Sequence, residues 1–308
     1  MTLQQLEYIL ALERNRHFAK AAIDCDVTQP TLSAMIQKLE SELEVKLFDR
    51  NRGGIQPTPI GKKVIAQASI VLREASKITD LIAEEQDSLH GNLRIAILPT
   101  IAPFLLPRLG QSLFKALPKV SFEISERKTS QCLSGLMDNE IDVAIIASKA
   151  KTEGLDDTLL YYEEFFGYVS EQEPLYNSPT IRSTEVDGSR LWLLDEGHCF
   201  RDQLVRFCQL KSFINKSRNY TNGSLSTFMH MVESGAGMTF IPELALDRLS
   251  PEQSKLVRPF TIPKPTREIR LCYREDFVRK RILGEIERML RASVPKSMHE
   301  LKTGQQLV

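Results

Sequence analysis

Residues 17–64 read HFAKAAIDCDVTQPTLSAMIQKLESELEVKLFDRNRGGIQPTPIGKKV, and this stretch decides the architecture of the first part of the chain. Leu32, Met35, Ile36 and Leu39 recur at helical spacing and make one apolar stripe. Thr28 ahead of them is a good N-cap, and Pro30 suits the first turn of a helix. Upstream, Phe18, Ala21, Ala22 and Ile23 begin an earlier helix that Asp26-Val27 punctuates, and Leu3, Leu6, Ile9 and Leu10 give a first one its apolar face. Helix, tight turn, helix is the helix-turn-helix pattern. Downstream, Val45–Phe48 and Gly53-Gly54-Ile55 predict a short two-stranded wing.

Such a second helix reads DNA with the polar side chains at its exposed start. Thr28, Gln29, Pro30, Thr31 and Ser33 occupy that start. Gln29 is able to pair with adenine through two hydrogen bonds, and threonine methyls can touch thymine. Lys38 is placed for phosphate, and Arg50 and Arg52 at the wing for backbone or minor-groove contacts. Residues 45–63 carry five basic side chains against one acidic, a local positive edge. A capped, solvated helix in an unrelated bundle would account for the same residues.

Residues 59–88 predict one long helix. Val64, Ala68, Val71, Ala75, Ile78 and Ile82 are spaced 4, 3, 4, 3, 4, a heptad seam that specifies helix pairing. An amphipathic helix lying on its own domain is the alternative. His90-Gly91-Asn92 is expected to end the helix, after which the pattern changes to alternating strands and helices. Leu93–Leu98, Val120–Ser125 and Ile141–Ala147 predict strands, separated by helices over Phe104–Ala116 and Ser130–Met137. A second run contains strands at Phe165–Ser170, Leu191–Asp195 and Met238–Ile241, with helices from Cys199 and Leu225. Ile269–Tyr273 predicts a further strand, Val278–Leu290 a helix, and residues 293–308 a frayed polar tail. Both runs read as parallel βαβ units, and two α/β halves imply a cleft between them where a ligand would sit.

The bulk properties set limits. The 308 residues suffice for two or three domains, with 42% hydrophobic and 26% charged residues, as in an ordinary globular protein. No run approaches the roughly 18 to 20 apolar residues of a membrane helix, and MTLQQLEYIL lacks signal-peptide features, so a cytoplasmic protein without a membrane partner is expected. Forty basic residues balance forty acidic ones, so overall charge points to no polyanionic partner. The five cysteines, Cys25, Cys132, Cys199, Cys208 and Cys272, form no CxxC pair and have no metal-ligand spacing, which implies no metal site and no cofactor. In a reducing compartment the default for each is a small buried hydrophobe.

With its QPTLS turn, its KLESELEVKLFDR run and its T-P-I-G join to the long helix, the segment at 17–64 resembles the LysR-type transcriptional regulators. The resemblance extends over nearly the whole chain. It implies a mainly α winged helix-turn-helix domain at 1–58, a linker and dimerisation helix at 59–89, and a two-lobed α/β effector domain, like a periplasmic binding protein, at 90–308. Lobe I would hold about 90–161 and 266–292, and lobe II about 162–265. Met35 and Gln37 depart from the family, whose recognition helices often carry extra basic residues there.

In LWLLDEGHCFRDQLVRFC, Cys199 follows a strand and a glycine and opens a helix, where the macrodipole favours thiolate. His198 and Arg201 point to other sides of that helix, and Asp202 opposes ionisation. Cys208 shares an apolar face with Leu204 and Val205. Nine residues along one helix separate Cα atoms by about 13.5 Å, whereas a disulfide allows about 4.4 to 6.8 Å. If both thiols sit on one helix, joining them requires the helix to unwind. Two buried core cysteines remain the bland reading.

The long motif L-D-E-G-H-C-F-R-D-Q-x3-F-C resembles that of the peroxide-sensing branch of the family, the OxyR-type sensors. Carried over by position, the resemblance makes Cys199 the peroxide-reacting thiol and Cys208 the resolving one. Thr100, Thr129, His198 and Arg267 match positions lining the sensors' peroxide pocket. Their bland roles are Thr100 and Thr129 as helix N-caps, Arg267 as a surface strand residue and His198 as a half-buried imidazole. The resemblance implies a transcriptional activator rather than an enzyme, with promoter DNA, hydrogen peroxide, thiol reductants and RNA polymerase as partners and a homodimer or homotetramer as its assembly. Cys25, Cys132 and Cys272 are left as structural. The competing readings are a regulator with a small metabolite in the inter-lobe cleft, and a thiol peroxidase that leaves the helix-turn-helix unexplained.

Overall fold

The computed structural model describes residues 1–51, 54–85, 89–195, 197–210 and 223–308, in two compact units divided between Ser88 and Leu89. In the first unit, α1 (Leu3–Asn15) is capped reciprocally: Gln5 N–H donates to Thr2 Oγ1 and Thr2 N–H to Gln5 Oε1. The buried Gln5 amide also donates to the Met35 carbonyl, tying α1 to the reading helix. α2 (Phe18–Asp24) and α3 (Gln29–Glu42) are joined by a turn in which Asp26 takes φ +52°, a left-handed position that Asp tolerates. Leu6, Ile9, Leu12, Ala21, Leu32, Ile36 and Leu39 close the core between the three helices.

The wing is β1 (Phe48–Asn51) antiparallel to β2 (Gly54–Pro57). Buried Glu40, near the end of α3, accepts the Leu47 and Phe48 N–H groups at 2.7 and 3.1 Å, so helix and wing are mounted together. The T-P-I-G join has an equally local cause. Thr58 Oγ1 donates to the Lys46 carbonyl and accepts the Gly61 N–H, at 2.7 and 2.9 Å. A Cβ at Gly61 would stand 2.0 Å from the Leu47 carbonyl oxygen, so only glycine fits. The long helix α4 (Pro59–Glu85) then packs Val64, Ile65, Ala68 and Val71 on this core. Its far half leaves Ile78, Leu81 and Ile82 more than half exposed. The heptad positions thus divide: the first half lies on its own domain, and the second half is an open apolar seam.

The second unit is a two-lobed α/β domain. Lobe I contains β3 (His90–Ile97), α5 (Ala102–Ala116), β4 (Lys119–Glu126), α6 (Thr129–Met137) and β5 (Val143–Ile146), with β4-β3-β5 parallel as expected of βαβ units. β6 (Leu155–Val169) follows, and after it α7 (Cys199–Phe207), α8 (Leu225–Glu233), β7 (Met238–Pro242), α9 (Pro251–Ser254) and β8 (Val257–Pro259). β9 (Lys264–Arg274), α10 (Lys280–Ala292) and β10 (Gln305–Leu307) complete the chain. β9 inserts antiparallel between β5 and β6. β6 runs through both lobes: Leu155–Glu164 pairs with β9, and Phe165–Val169 pairs antiparallel with β7.

Four expectations are corrected. His90 does not stop a helix but starts β3. Lobe II is not a second parallel unit, because burial patterning marks a strand without fixing the direction of its partner. Leu191–Asp195 forms a single parallel bridge, Leu191 to Met238, rather than a strand. The tail is ordered: β10 lies parallel on β9, held by backbone groups that any sequence supplies. Among the described residues, no helix is long and apolar enough to cross a membrane, and no three His, Cys, Asp or Glu side chains could share a metal ion.

Candidate functional site

At the first unit's reading end, Thr28, Gln29, Pro30, Thr31 and Lys38 are exposed and Ser33 is half-buried, all above the buried Leu32, Ile36 and Leu39. Thr28 caps α3, accepting the Thr31 N–H, and the two threonine hydroxyls lie 2.9 Å apart. Gln37 is exposed while Met35 packs on the core, so Gln37 is the one of the two departing positions that faces outward. Arg50 lies in β1, but its side chain, like all of Arg52, is outside the described residues.

In the second unit the two thiols bracket one helix. Half-buried Cys199 is the first residue of α7, and Cys208 follows its last residue, with its N–H on the Leu204 carbonyl at 2.9 Å. Burial pushes the Cys208 thiol up to about 12, which keeps it protonated where it stands. His198 occupies the N-cap position, yet its side chain accepts no capping bond from the described residues. Burial first, and Lys128 second, hold its pKa below the usual value, so the imidazole is neutral at neutral pH. Lys128 also supplies the nearest wall of the preceding loop, its Cδ lying 3.8 Å from where a Gly197 Cβ would stand. α6 therefore begins against the loop that leads into Cys199.

The ground under α7 is a closed polar network. Arg267 is buried, and its Nε and Nη2 donate to Glu163 Oε2 at 2.9 and 2.7 Å. Its Nη1 donates to Thr100 Oγ1 and its Nη2 to the Thr100 carbonyl, each at 3.0 Å. Phe165 and Phe200 flank the guanidinium, with ring centroids 5.4 and 5.1 Å from its central carbon. Glu163 in turn accepts the Leu244 N–H. The Arg267 charge is thus already balanced by a carboxylate. What it passes on is orientation: Thr100 Oγ1 accepts from Arg267, which leaves the threonine's own proton to be donated.

Thr129 Oγ1 in α6 and Gln203 Oε1 in α7 are among the buried polar atoms without a hydrogen-bond partner among the described residues. Gln203 stands four residues after Cys199, on the same helix face. Its Nε2 donates to the Ala147 and Val308 carbonyls, at 3.0 and 3.2 Å. Both amide hydrogens are occupied, so Oε1 is fixed as a free acceptor.

These placements settle the bland roles. Arg267 is no surface residue, since a buried guanidinium needs the partner that Glu163 provides. Thr100 precedes α5 without capping it, the N-cap position being Ile101, and Thr129 is itself the first residue of α6. Cys132 and Cys272 are buried in α6 and β9, with thiols pushed up to about 12 chiefly by burial, and Cys25 ends α2. Sequence reasoning missed Glu163 and Gln203. The i, i+4 spacing to Cys199 was a usable signal for Gln203. Nothing local marks Glu163, which lies 104 positions from its partner.

The chain matches the family model of the bacterial regulatory helix-turn-helix protein, lysR family, over residues 3–62, and that of the LysR substrate binding domain over 86–294. It is 34% identical over 274 residues to the hydrogen peroxide-inducible genes activator of Dickeya chrysanthemi, covering 89% of this chain and 90% of that protein. A crystal structure of an OxyR mutant from Porphyromonas gingivalis is 56% identical, with a TM-score of 0.68, and covers 71% of this chain and 100% of that one. A full-length OxyR variant from Pseudomonas aeruginosa is 32% identical with a TM-score of 0.74, covering 94% of this chain and 98% of that one. A hydrogen-peroxide-bound OxyR mutant from Corynebacterium glutamicum is 28% identical with a TM-score of 0.61, covering 95% and 92%.

Proposed function

The chain belongs to the LysR family and, within it, to the OxyR-type peroxide-responsive activators, and from that premise we propose that it senses hydrogen peroxide through Cys199 and Cys208. The observation that carries the reading is that these two thiols bracket one helix, which also holds Gln203, whose buried Oε1 has no hydrogen-bond partner among the described residues.

In the first step the Cys199 sulfur attacks one peroxide oxygen. The S–O bond forms, the O–O bond breaks, and sulfur is oxidised to sulfenic acid as the peroxide is reduced. Thr100, held by Arg267, donates to the peroxide, while Gln203 Oε1 accepts from it and Thr129 does either. The leaving hydroxide takes a proton from solvent or, through Thr129 or neutral His198, from the pocket. Cys208 then attacks the Cys199 sulfur: the S–S bond forms, the S–O bond breaks, and water departs with the Cys208 proton.

The second step cannot occur in the reduced fold. Nine residues of helix geometry set the two Cα atoms about 13.5 Å apart, and burial keeps Cys208 from ionising. Unwinding α7 removes both obstacles, so oxidation is coupled to refolding and the disulfide acts as a switch. Refolding repacks the effector domain, and the assembled dimer or tetramer changes how its heads engage promoter DNA and RNA polymerase. Thiol reductants reverse it by exchange. Thr28, Gln29, Pro30, Thr31 and Ser33 present the reading end to DNA, Lys38 contacts phosphate, and Arg50 and Arg52 contact the DNA backbone or minor groove.

Mass spectrometry of peroxide-treated protein tests this directly. A Cys199–Cys208 crosslink, absent from Cys199→Ser along with the transcriptional response, is the expected result. A thiol at Cys199 that survives treatment, or a response that persists in Cys199→Ser, overturns the reading.

A further inference from the structure

Gln203 joins α7 to a segment that the chemistry above leaves unused. Its side chain is 4% exposed, and its two amide hydrogens are divided between Ala147, just past the end of β5, and Val308, just past β10. The Val308 carbonyl is itself held in place. Gln305, Gln306 and Leu307 pair with Lys264, Pro265 and Thr266 of β9. The Val308 N–H donates to the Thr266 carbonyl at 3.1 Å and the Lys264 N–H to the Gly304 carbonyl at 2.8 Å. Side chains pin the same segment: Gln305 donates to Glu164 at 3.3 Å, and Lys302 lies 3.7 Å from Glu243. Residues 302–308 therefore lie strapped to β9 immediately before Arg267, with one carbonyl presented to the helix that Cys199 opens.

We propose that this strap is a positioning element for the peroxide response: through Val308 it holds Gln203, and with it α7, in the reduced arrangement, and so sets how readily Cys208 resolves an oxidised Cys199. The inference rests on the thiol reading above. Its physical basis is a difference between two states. The bond from Gln203 to Val308 exists only while α7 is wound, whereas the attack of Cys208 on the Cys199 sulfur requires α7 to unwind. A bond present in the starting state and absent from the product slows the conversion and disfavours the product. One hydrogen bond of ordinary strength corresponds to roughly a two- to tenfold effect. The first oxidation, by contrast, takes place with α7 intact and with Gln203 still held through Ala147, so it responds less to the strap than closure does.

The test compares the full chain with a chain lacking Val308 and, separately, with Gln306→Pro, which disturbs β10 from within. Three quantities are measured with hydrogen peroxide as oxidant: the rate constant for Cys199 sulfenylation in a Cys208→Ser background, the rate of disulfide closure with Cys208 present, and the disulfide-to-dithiol ratio in glutathione buffers. Both strap variants are expected to change sulfenylation less than closure, to accelerate closure roughly two- to tenfold, and to shift the glutathione equilibrium toward disulfide by a similar factor. A strap with only a structural role would lower thermal stability equally in reduced and oxidised protein and leave the equilibrium where it was. That result overturns the inference while the thiol reading stands. Failure of the unmodified chain to form sulfenic acid or disulfide overturns both, and the two failures are distinguishable because the second appears before any variant is made.

Discussion

Helices α3 and α7 both emerge from a tight turn, yet they are secured differently. α3 has Thr28 as a side-chain cap, three fully buried apolar residues along its length and Glu40 bonded to the wing near its far end. α7 begins at His198, which offers no capping bond among the described residues, and ends at a buried thiol. A mid-helix polar tie, at Gln203, crosses to other segments. A helix that must present a fixed set of donors to DNA gains from reinforcement at both ends. A helix that unwinds on oxidation, as proposed for α7, is better held by side contacts that can be released. The contrast shows that the two functional helices differ less in their apolar stripes than in what happens at their termini.

The largest effect expected is under α7. Arg267→Ala leaves Glu163 buried without its cation, and the effector unit should lose about 3–5 kcal/mol, read by chemical denaturation. A loss below 1 kcal/mol would show that this network does not support the helix. The matching change at the mount of α3 is Gly61→Ala, which forces the Leu47 carbonyl away and with it the N–H that Glu40 accepts. About 1–3 kcal/mol of overpacking is expected in the first unit. Operator affinity should fall by gel shift, while peroxide still crosslinks Cys199 to Cys208. Loss of both properties together would break the separation drawn between the helices.

Exchanging the caps gives a smaller effect with opposite signs. Thr28→Val should cost about 1 kcal/mol, and His198→Ser, at a backbone position already extended, should add about 0.5–1 kcal/mol to the reduced protein. Helicity and melting temperature of the two variants measure this, and equal signs would refute the claim that α7 is undercapped. The smallest effect is in pH. Because burial holds His198 below its ordinary 6.5, the folded chain binds fewer protons there than the unfolded chain. That contribution to stability is complete above pH 6.5 and is lost as pH falls through the lowered value. The difference in melting temperature between the parent and His198→Asn, followed from about pH 7 to 5, should therefore shrink as acid is added.

What was legible in the sequence follows from the range of the interactions. The helix-turn-helix, wing and long helix rest on local spacing, and so does the placement of Cys199 and Cys208 at the ends of one helix. Arg267 could be picked out only by resemblance. Its burial depends on Glu163 and Thr100, which lie 104 and 167 positions away, and no window along the chain contains them. The direction of pairing in lobe II and the ordered tail were missed for a related reason. Backbone hydrogen bonds do not depend on side-chain type, so Gln305-Gln306-Leu307 carries no pattern that betrays its place on β9.

The continuity of β6 has a mechanical consequence. The strand changes sheets between Glu164 and Phe165, so torsion of one lobe against the other passes through this stretch, as it does through the return of the chain from β8 to β9. The residues on either side of the crossing are those that grip the Arg267 guanidinium: Glu163 by charge, Phe165 by its ring. A twist at the crossing would therefore also turn the guanidinium that holds Thr100, which on the proposed reading would couple effector-domain motion to the Cys199 pocket.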